Sequence, residues 1–192
     1  MKICELKTKS GLKIDGPLLL EPTKFFDNRG FFMESWNQQK FEQIVGEDVI
    51  FVQDNHSQST KNVIRGLHYQ LNPIPQAKLV RCINGRVFDV AVDVRKNSDT
   101  FGQYVGVFLD SVDDYSFWIP NGFAHGFIAL SNKADLLYKT TNYWNKDLEV
   151  TINCFDSHLD IDWPQPKEAC IFSEKDKYAS FLNELSNDKL FL

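Results

Sequence analysis

Between Lys78 and Trp144 the chain is a series of short β-prone runs, each closed by a turn signal, and this pattern constrains the fold more than any other feature. The runs are KLVRCI, RVFDVAVDVR, GQYVGVFL, YSFWIP, FAHGFIAL and DLLYKTTNYW. Asn97-Ser98-Asp99, Asp113-Asp114, Pro120-Asn121-Gly122 and Ser131-Asn132-Lys133 punctuate the spaces between them. Short strands at nearly regular spacing predict an all-β sandwich or barrel. Asn84-Gly85 between two such runs predicts a tight hairpin, because both residues tolerate positive φ. In the second run Phe88, Val90, Val92 and Val94 share one face, and Val87, Asp89, Ala91 and Asp93 share the other. The first set reads as core. The second, small and acidic, reads as the wall of a cavity.

Helices are minor. NQQKFEQIVGE sets Phe41, Ile44 and Val45 at helical spacing and stops at Gly46. A second helix is predicted after Ser173, where Ser-Glu-Lys-Asp precedes KYASFLNEL. Without a linker or repeat, the 192 residues read as one domain over 1–192, with a short helical C-terminal segment after about 173. Hydrophobic residues at 43% and charged residues at 24% exclude disorder, collagen and coiled coil as whole-chain readings. A net charge of −5 gives no electrostatic footprint for nucleic acid and no polybasic membrane patch. No apolar run approaches the roughly 18–20 residues a membrane span needs, and the N-terminus has no unbroken apolar signal region. Cys4, Cys82, Cys154 and Cys170 form no CxxC pair and read as reduced thiols of a cytoplasmic protein.

Four histidines narrow the chemistry. His68 lies in Arg-Gly-Leu-His-Tyr-Gln, within a predicted strand, and His125 ends Pro-Asn-Gly-Phe-Ala-His. The latter P-x-G-x-x-H run resembles the second motif of the cupin superfamily, small β-barrels of the jelly-roll type. The first cupin motif uses H-x-H to share one metal; here the pair is His68-x-Gln70. Gln is a poor ligand for a transition metal, so no metal is expected. His125 is left as a hydrogen-bonded core residue or a polar contact to a ligand. Arg65 and His68 are three apart and would point to opposite faces of a regular strand. Gly66 between them is the natural place for a bulge that brings both to one side.

Longer stretches carry a more specific resemblance. They include Phe26-Asp-Asn-Arg-Gly-Phe-Phe-Met-Glu34, Phe51-Val-Gln-Asp-Asn-His-Ser57, Asn62-Val-Ile-Arg-Gly-Leu-His-Tyr-Gln70, Gln76-Ala-Lys-Leu-Val-Arg81 and Gly85-Arg-Val-Phe-Asp-Val-Ala-Val-Asp93. With Thr100-Phe-Gly102, Trp118-Ile-Pro-Asn-Gly-Phe-Ala-His-Gly126, Leu137-Tyr138 and Ile161-Asp-Trp-Pro164, these resemble the dTDP-4-dehydrorhamnose 3,5-epimerase family over roughly residues 15–180. The resemblance implies a cupin double-stranded β-helix and cofactor-independent epimerisation of a dTDP-4-keto sugar, in a pathway towards cell-surface polysaccharide. It implies His68 as base, Asp176 as its partner, Tyr138 as acid and Lys78 beside the developing enolate oxygen. It further implies Arg29, Arg65 and Lys175 for the diphosphate, and Glu34, Gln53, Asn55, His125 and Glu149 for the rest of the substrate. Trp144 stands where the family commonly has a second Tyr; it keeps an aromatic face and lacks the hydroxyl. A homodimer with exchanged N-terminal strands is implied too, with Arg29 and Glu34 reaching the partner's site.

The residue chemistry suits that reaction independently. A 4-keto sugar has acidic C–H bonds on both carbons beside the carbonyl. Inversion needs a base, an acid on the opposite face and an enolate stabiliser. The chain has no glycine-rich dinucleotide fingerprint and no P-loop. Alternatives stay open at this level. Asp176 also fits a helix cap, and Asp89 or Asp93 also fits a partner for His68. Tyr138 also fits an aromatic core, and Lys78 a solvated surface. A 3-epimerase or isomerase on a related sugar would share this chemistry, and a non-catalytic cupin binding a sugar nucleotide or metal is the rival from another class.

Overall fold

Two faces of apolar alternation need two facing sheets, and the chain builds them. The computed structural model describes residues 1–191. In chain order the strands are β1 (Lys2–Cys4), β2 (Leu18–Glu21), β3 (Lys24–Asp27) and β4 (Gly30–Met33), then helix α1 (Gln38–Val45). They continue as β5 (Gln53–Thr60), β6 (Ile64–Gln70), β7 (Lys78–Asn84), β8 (Arg86–Asp93), β9 (Tyr104–Asp110) and β10 (Ser116–Ile119). β11 (Phe123–Ala129), β12 (Lys133–Thr140), β13 (Glu149–Thr151) and the single-turn helix α2 (Glu174–Lys177) complete the order. One sheet runs β1-β2-β10-β7-β12-β5 and the other β13-β6-β11-β8-β9, while β3 and β4 pair only with each other. This is a jelly roll of the cupin type. All of these strand pairs are antiparallel.

The Asn84-Gly85 hairpin does not form. β7 and β8 are separated by Gly85 alone, yet they lie in different sheets: β7 is flanked by β10 and β12, and β8 by β11 and β9. Gly85 is instead the corner between sheets. Its φ is +76°, and a Cβ there would sit 2.1 Å from the Lys133 carbonyl oxygen and 2.2 Å from Ser131 Oγ. The signal correctly marks a left-handed, crowded position; it does not say which strand the chain pairs with afterwards.

Both faces of β8 are buried, which corrects the division into core and cavity wall. Val87 and Ala91 join Val80, Cys82, Val107, Phe117, Phe127 and Leu136 in the layer between the sheets. Phe88, Val90, Val92 and Val94 face outward and pack beneath the C-terminal segment, against Cys154, Leu159, Trp163 and Leu182. The helix expected after Ser173 starts there but stops after one turn, before most of KYASFLNEL. After α2, Ser180 bridges to Ile152, and only 3-10 turns follow at Leu182–Glu184 and Asn187–Lys189. Tertiary demands override local propensity here: Leu182 is buried, and its N–H donates to Asp156 Oδ2 at 2.7 Å.

Helix α1 forms as expected. Asn37 caps it by accepting from Lys40 N at 3.0 Å, and Gly46 ends it at φ 78°. It presses the fully buried Phe41 against Trp36, Phe51 and Trp118 on the outer face of the six-stranded sheet. Burying such a ring is worth roughly 2–3 kcal/mol.

Candidate active site

A cavity of about 430 Å³ opens between the sheets, where the β6 end of one faces the β12–β7 side of the other. His68 on β6 and His125 on β11 are direct cross-strand partners. Three residues later in the pairing the register breaks: Arg65 faces Phe127, so three steps along β6 match two along β11. The extra residue sits at Gly66, with φ +124° and its Cα so close to β11 that a Cβ would lie 2.5 Å from Gly126 Cα. The bulge turns Arg65 and His68 to the same cavity. Arg65 is held there by Nε donating to Ser59 Oγ at 3.0 Å and Nη2 donating to the Gln58 carbonyl at 3.2 Å.

Asp176 resolves its two readings through different atoms. Its backbone N–H donates to Ser173 Oγ at 3.2 Å, which caps α2. Its carboxylate is thereby left to His68, with Oδ1 2.6 Å from Nε2, and the side chain is 3% exposed. Burial pushes the His68 imidazole below its ordinary pKa, against the pull of the Asp176 charge. Burial alone would raise Asp176, but the bonds from His68 and Ser173, with Lys175 nearby, hold its carboxyl below the usual range. The pair is therefore a neutral imidazole beside a carboxylate. With Nε2–H donated to Asp176, Nδ1 keeps the lone pair. Asp89 and Asp93 serve other partners. Asp89 Oδ1 is 2.9 Å from His125 Nε2, and Asp93 accepts from Arg95, Ser98 and Thr100.

Lys78, at the start of β7, is 9% exposed, and Nζ lies 3.3 Å from the His68 carbonyl oxygen. Burial pushes its ammonium down to about 8, partly countered by Glu149 and Asp89. Tyr138 on β12 faces Asn55 and Val80 across the sheet and lines the same cavity. Burial raises its phenol above the usual value, so it holds its proton at neutral pH. Glu149 on β13 accepts from Lys175 Nζ at 2.8 Å, and both line the cavity. Gln70 is held by backbone groups on both ends of its amide. Its amide nitrogen donates to the Ile74 and Tyr143 carbonyls, and its oxygen accepts from Asn145 N. Among the described residues no group of three or more His, Cys, Asp or Glu side chains is arranged to hold a metal ion.

Other expected residues stand outside this cavity. Gln53 accepts from Trp144 N at 3.2 Å and donates to Asn55 Oδ1 at 2.9 Å, tying the Trp144 loop to β5. Trp144 itself is half exposed. Arg29 and Glu34 belong to the β3–β4 arm and pair locally, Arg29 with Asp27 and Glu34 with Lys40. Ser57 and Phe127 line the cavity and were not anticipated. For Ser57 the signal is the period-2 series Gln53, Asn55, Ser57 and Ser59, which shares one strand face.

An imidazole bonded to a buried carboxylate, with a phenol on the facing sheet, gives this cupin-type jelly roll the groups that acid–base chemistry needs, and the comparisons with known proteins place it among isomerases. Residues 11–184 match the family model for dTDP-4-dehydrorhamnose 3,5-epimerase. The chain is 52% identical over 178 residues to the dTDP-4-dehydrorhamnose 3,5-epimerase of Escherichia coli (strain K12), covering 93% of this chain and 96% of that one. It is 54% identical over 164 residues to the Shigella flexneri enzyme of the same name, covering 85% and 90%. A crystal structure of dTDP-6-deoxy-D-glucose-3,5-epimerase from Legionella pneumophila Philadelphia 1, in complex with dTDP-4-keto-L-rhamnose, superposes with a TM-score of 0.90. That protein is 44% identical, and the match covers 99% of this chain and 98% of that one. The chain belongs to the dTDP-4-dehydrorhamnose 3,5-epimerase family.

Proposed function

We propose that the cavity converts dTDP-4-dehydro-6-deoxy-D-glucose to dTDP-4-dehydro-L-rhamnose by inverting C3 and C5, with the residues above in the following roles. The observation that carries the roles is the placement of His68 and Tyr138 on opposing sheets. Inversion requires a proton to leave one face of the carbon and another to arrive on the other. His68 Nδ1 takes the C–H proton, and Asp176 steadies the imidazolium that forms. The electron pair moves onto O4, where the Lys78 ammonium, still largely protonated at neutral pH, stabilises the enolate. Tyr138 then returns a proton to the opposite face. Exchange of both groups with solvent resets the pair for the second carbon. The substrate's own carbonyl supplies the acidity, so no cofactor is assigned.

Arg65 and Lys175 are assigned to the diphosphate, Arg65 through its planar fork. His125 and Glu149 contact the sugar from the wall, and Gln53, Asn55 and Trp144 hold the nucleoside end. A second copy of the chain completes the site by exchange of N-terminal strands. The support is the β3–β4 arm, where Phe25, Phe26, Phe31 and Phe32 are 62%, 75%, 51% and 71% exposed on one short hairpin. Four such rings in water call for a cover, and the arm carries Arg29 and Glu34 with it. A cytoplasmic location agrees with four cysteines that are all free thiols. Among the described residues no helix is long and apolar enough to cross a membrane. Incubation with the dTDP-4-keto sugar in D₂O, followed by NMR, tests the assignment. Deuterium enters C3 and C5 of the inverted product; deuterium at C3 alone makes the protein a 3-epimerase, and no exchange at either carbon removes the proposal.

A further inference from the structure

The aromatic arm leaves the body of the protein at one buried point. Extending the β2–β10 register, in which Ser116 faces Leu20, sets Lys24 opposite Val112. There the Lys24 ammonium lies 2.7 Å from Asp114 Oδ2, with side chains only 11% and 8% exposed, and it also donates to the Val112 carbonyl. Asp114 adopts φ 57°, a left-handed turn that Asp tolerates better than most residues, and this aims its carboxylate back at the arm. Lys24 is also the first residue of β3, paired with Met33 across the hairpin, and its ammonium stands 4.8 Å from the Phe31 ring centroid. One cation thus grips the body on one side and a ring of the arm on the other. At the opposite foot of the arm Glu34 accepts from Lys40 and Asn37, exposed contacts that make a weak tie in solvent. A buried pair that loses one partner is costly, because the other charge is stranded.

We infer that Lys24 and Asp114 are positioning residues for the active site of the partner subunit. Their ion pair fixes the angle at which the arm departs, and through it the place where Arg29 arrives. The inference rests on the exchanged-strand dimer proposed above. Neither residue touches the cavity that holds His68, Lys78, Tyr138 and Asp176, so the pin acts on substrate binding rather than on proton transfer.

The test compares wild type, Lys24→Met, Asp114→Asn, Lys24→Arg and Arg29→Ala by sedimentation and by kinetics on the dTDP-4-keto sugar. Lys24→Met and Asp114→Asn should raise KM by about tenfold, the equivalent of roughly 1.4 kcal/mol in binding, while kcat stays within about twofold. Lys24→Arg should restore KM towards wild type, which a mere packing defect would not predict. The double variant Lys24→Met/Arg29→Ala should be no worse than Arg29→Ala alone, because the pin works through that residue. Additive losses, or an unchanged KM in both Lys24→Met and Asp114→Asn, overturn the inference. If Lys24→Met does not fold, the shape-preserving Asp114→Asn decides. A wild-type chain that sediments as a monomer while active removes the dimer reading itself, an outcome separate from failure of the pin in a dimer.

Discussion

Replacing Asp176 with Asn isolates the contribution of one charge. Asn has the same shape, keeps an oxygen that accepts from His68 Nε2, and leaves its backbone N–H on Ser173 Oγ, so the start of α2 survives. What disappears is the anion beside the imidazolium that forms as the C–H bond breaks. At 2.6 Å and an effective dielectric of about 20, two unit charges attract by about 6 kcal/mol, which corresponds to roughly 10⁴ in rate. Taking only the difference between a charge-assisted and a neutral hydrogen bond gives about 1–2 kcal/mol, or about tenfold. Coupling in so buried a pair lies well above that floor, so kcat should fall by roughly 10²- to 10⁴-fold with little change in KM. The pH profile gives a second, independent sign. Asp176 pulls the His68 pKa upward against burial. Without it the imidazole protonates at still lower pH, and the acid limb of kcat/KM moves down. Product formation and C3 and C5 deuterium incorporation, followed across pH, read both quantities. A loss below tenfold, or an acid limb that stays or moves up, refutes the assignment of Asp176 as the partner that steadies the base.

Tyr138→Phe removes only the hydroxyl; deuterium exchange at the starting carbon should persist in part while inverted product falls by roughly 10²–10⁴, checked by NMR of the recovered sugar. Lys78 has its pKa pushed down to about 8, so activity should decline as pH rises through that value and the ammonium is lost. In Lys78→Met the residual activity should lack this alkaline limb. Gly66→Ala puts a Cβ 2.5 Å from Gly126 Cα at φ +124°; a denaturation midpoint should show destabilisation of about 1–3 kcal/mol or more, and the variant should lose kcat because His68 moves with the bulge.

The strands and α1 were legible because hydrophobic period and capping chemistry are local. The bulge at Gly66 was legible for a related reason: two residues needed on one side were an odd number apart, and a glycine lay between them. Sheet membership was not. Asn84-Gly85 reports a backbone angle, whereas pairing depends on which neighbours already flank β7 and β8. The Phe88, Val90, Val92 and Val94 face of β8 is core as read, under cover from residues 154–191; the other face was misjudged, because Val87 and Ala91 pack between the sheets rather than line the cavity. Of the site, His68, Lys78 and Tyr138 sit on strands whose pairing, with the bulge at Gly66, brings them to one cavity. Asp176 was ambiguous between cap and partner, because a backbone N–H and a carboxylate of one residue can serve both roles at once.

The four central groups share one burial, and on three of them it favours the neutral form. Desolvation penalises charge, so it keeps the His68 imidazole neutral and its lone pair available. It keeps the Tyr138 phenol protonated, ready to donate. It brings the Lys78 ammonium down to about 8. Only Asp176 resists, because hydrogen bonds and nearby cations on its side outweigh the same penalty. Ile64, Phe127, Ile171 and Phe172 supply the apolar part of the cavity wall. A wetter cavity with the same polar residues would move His68, Tyr138 and Lys78 back towards their ordinary values.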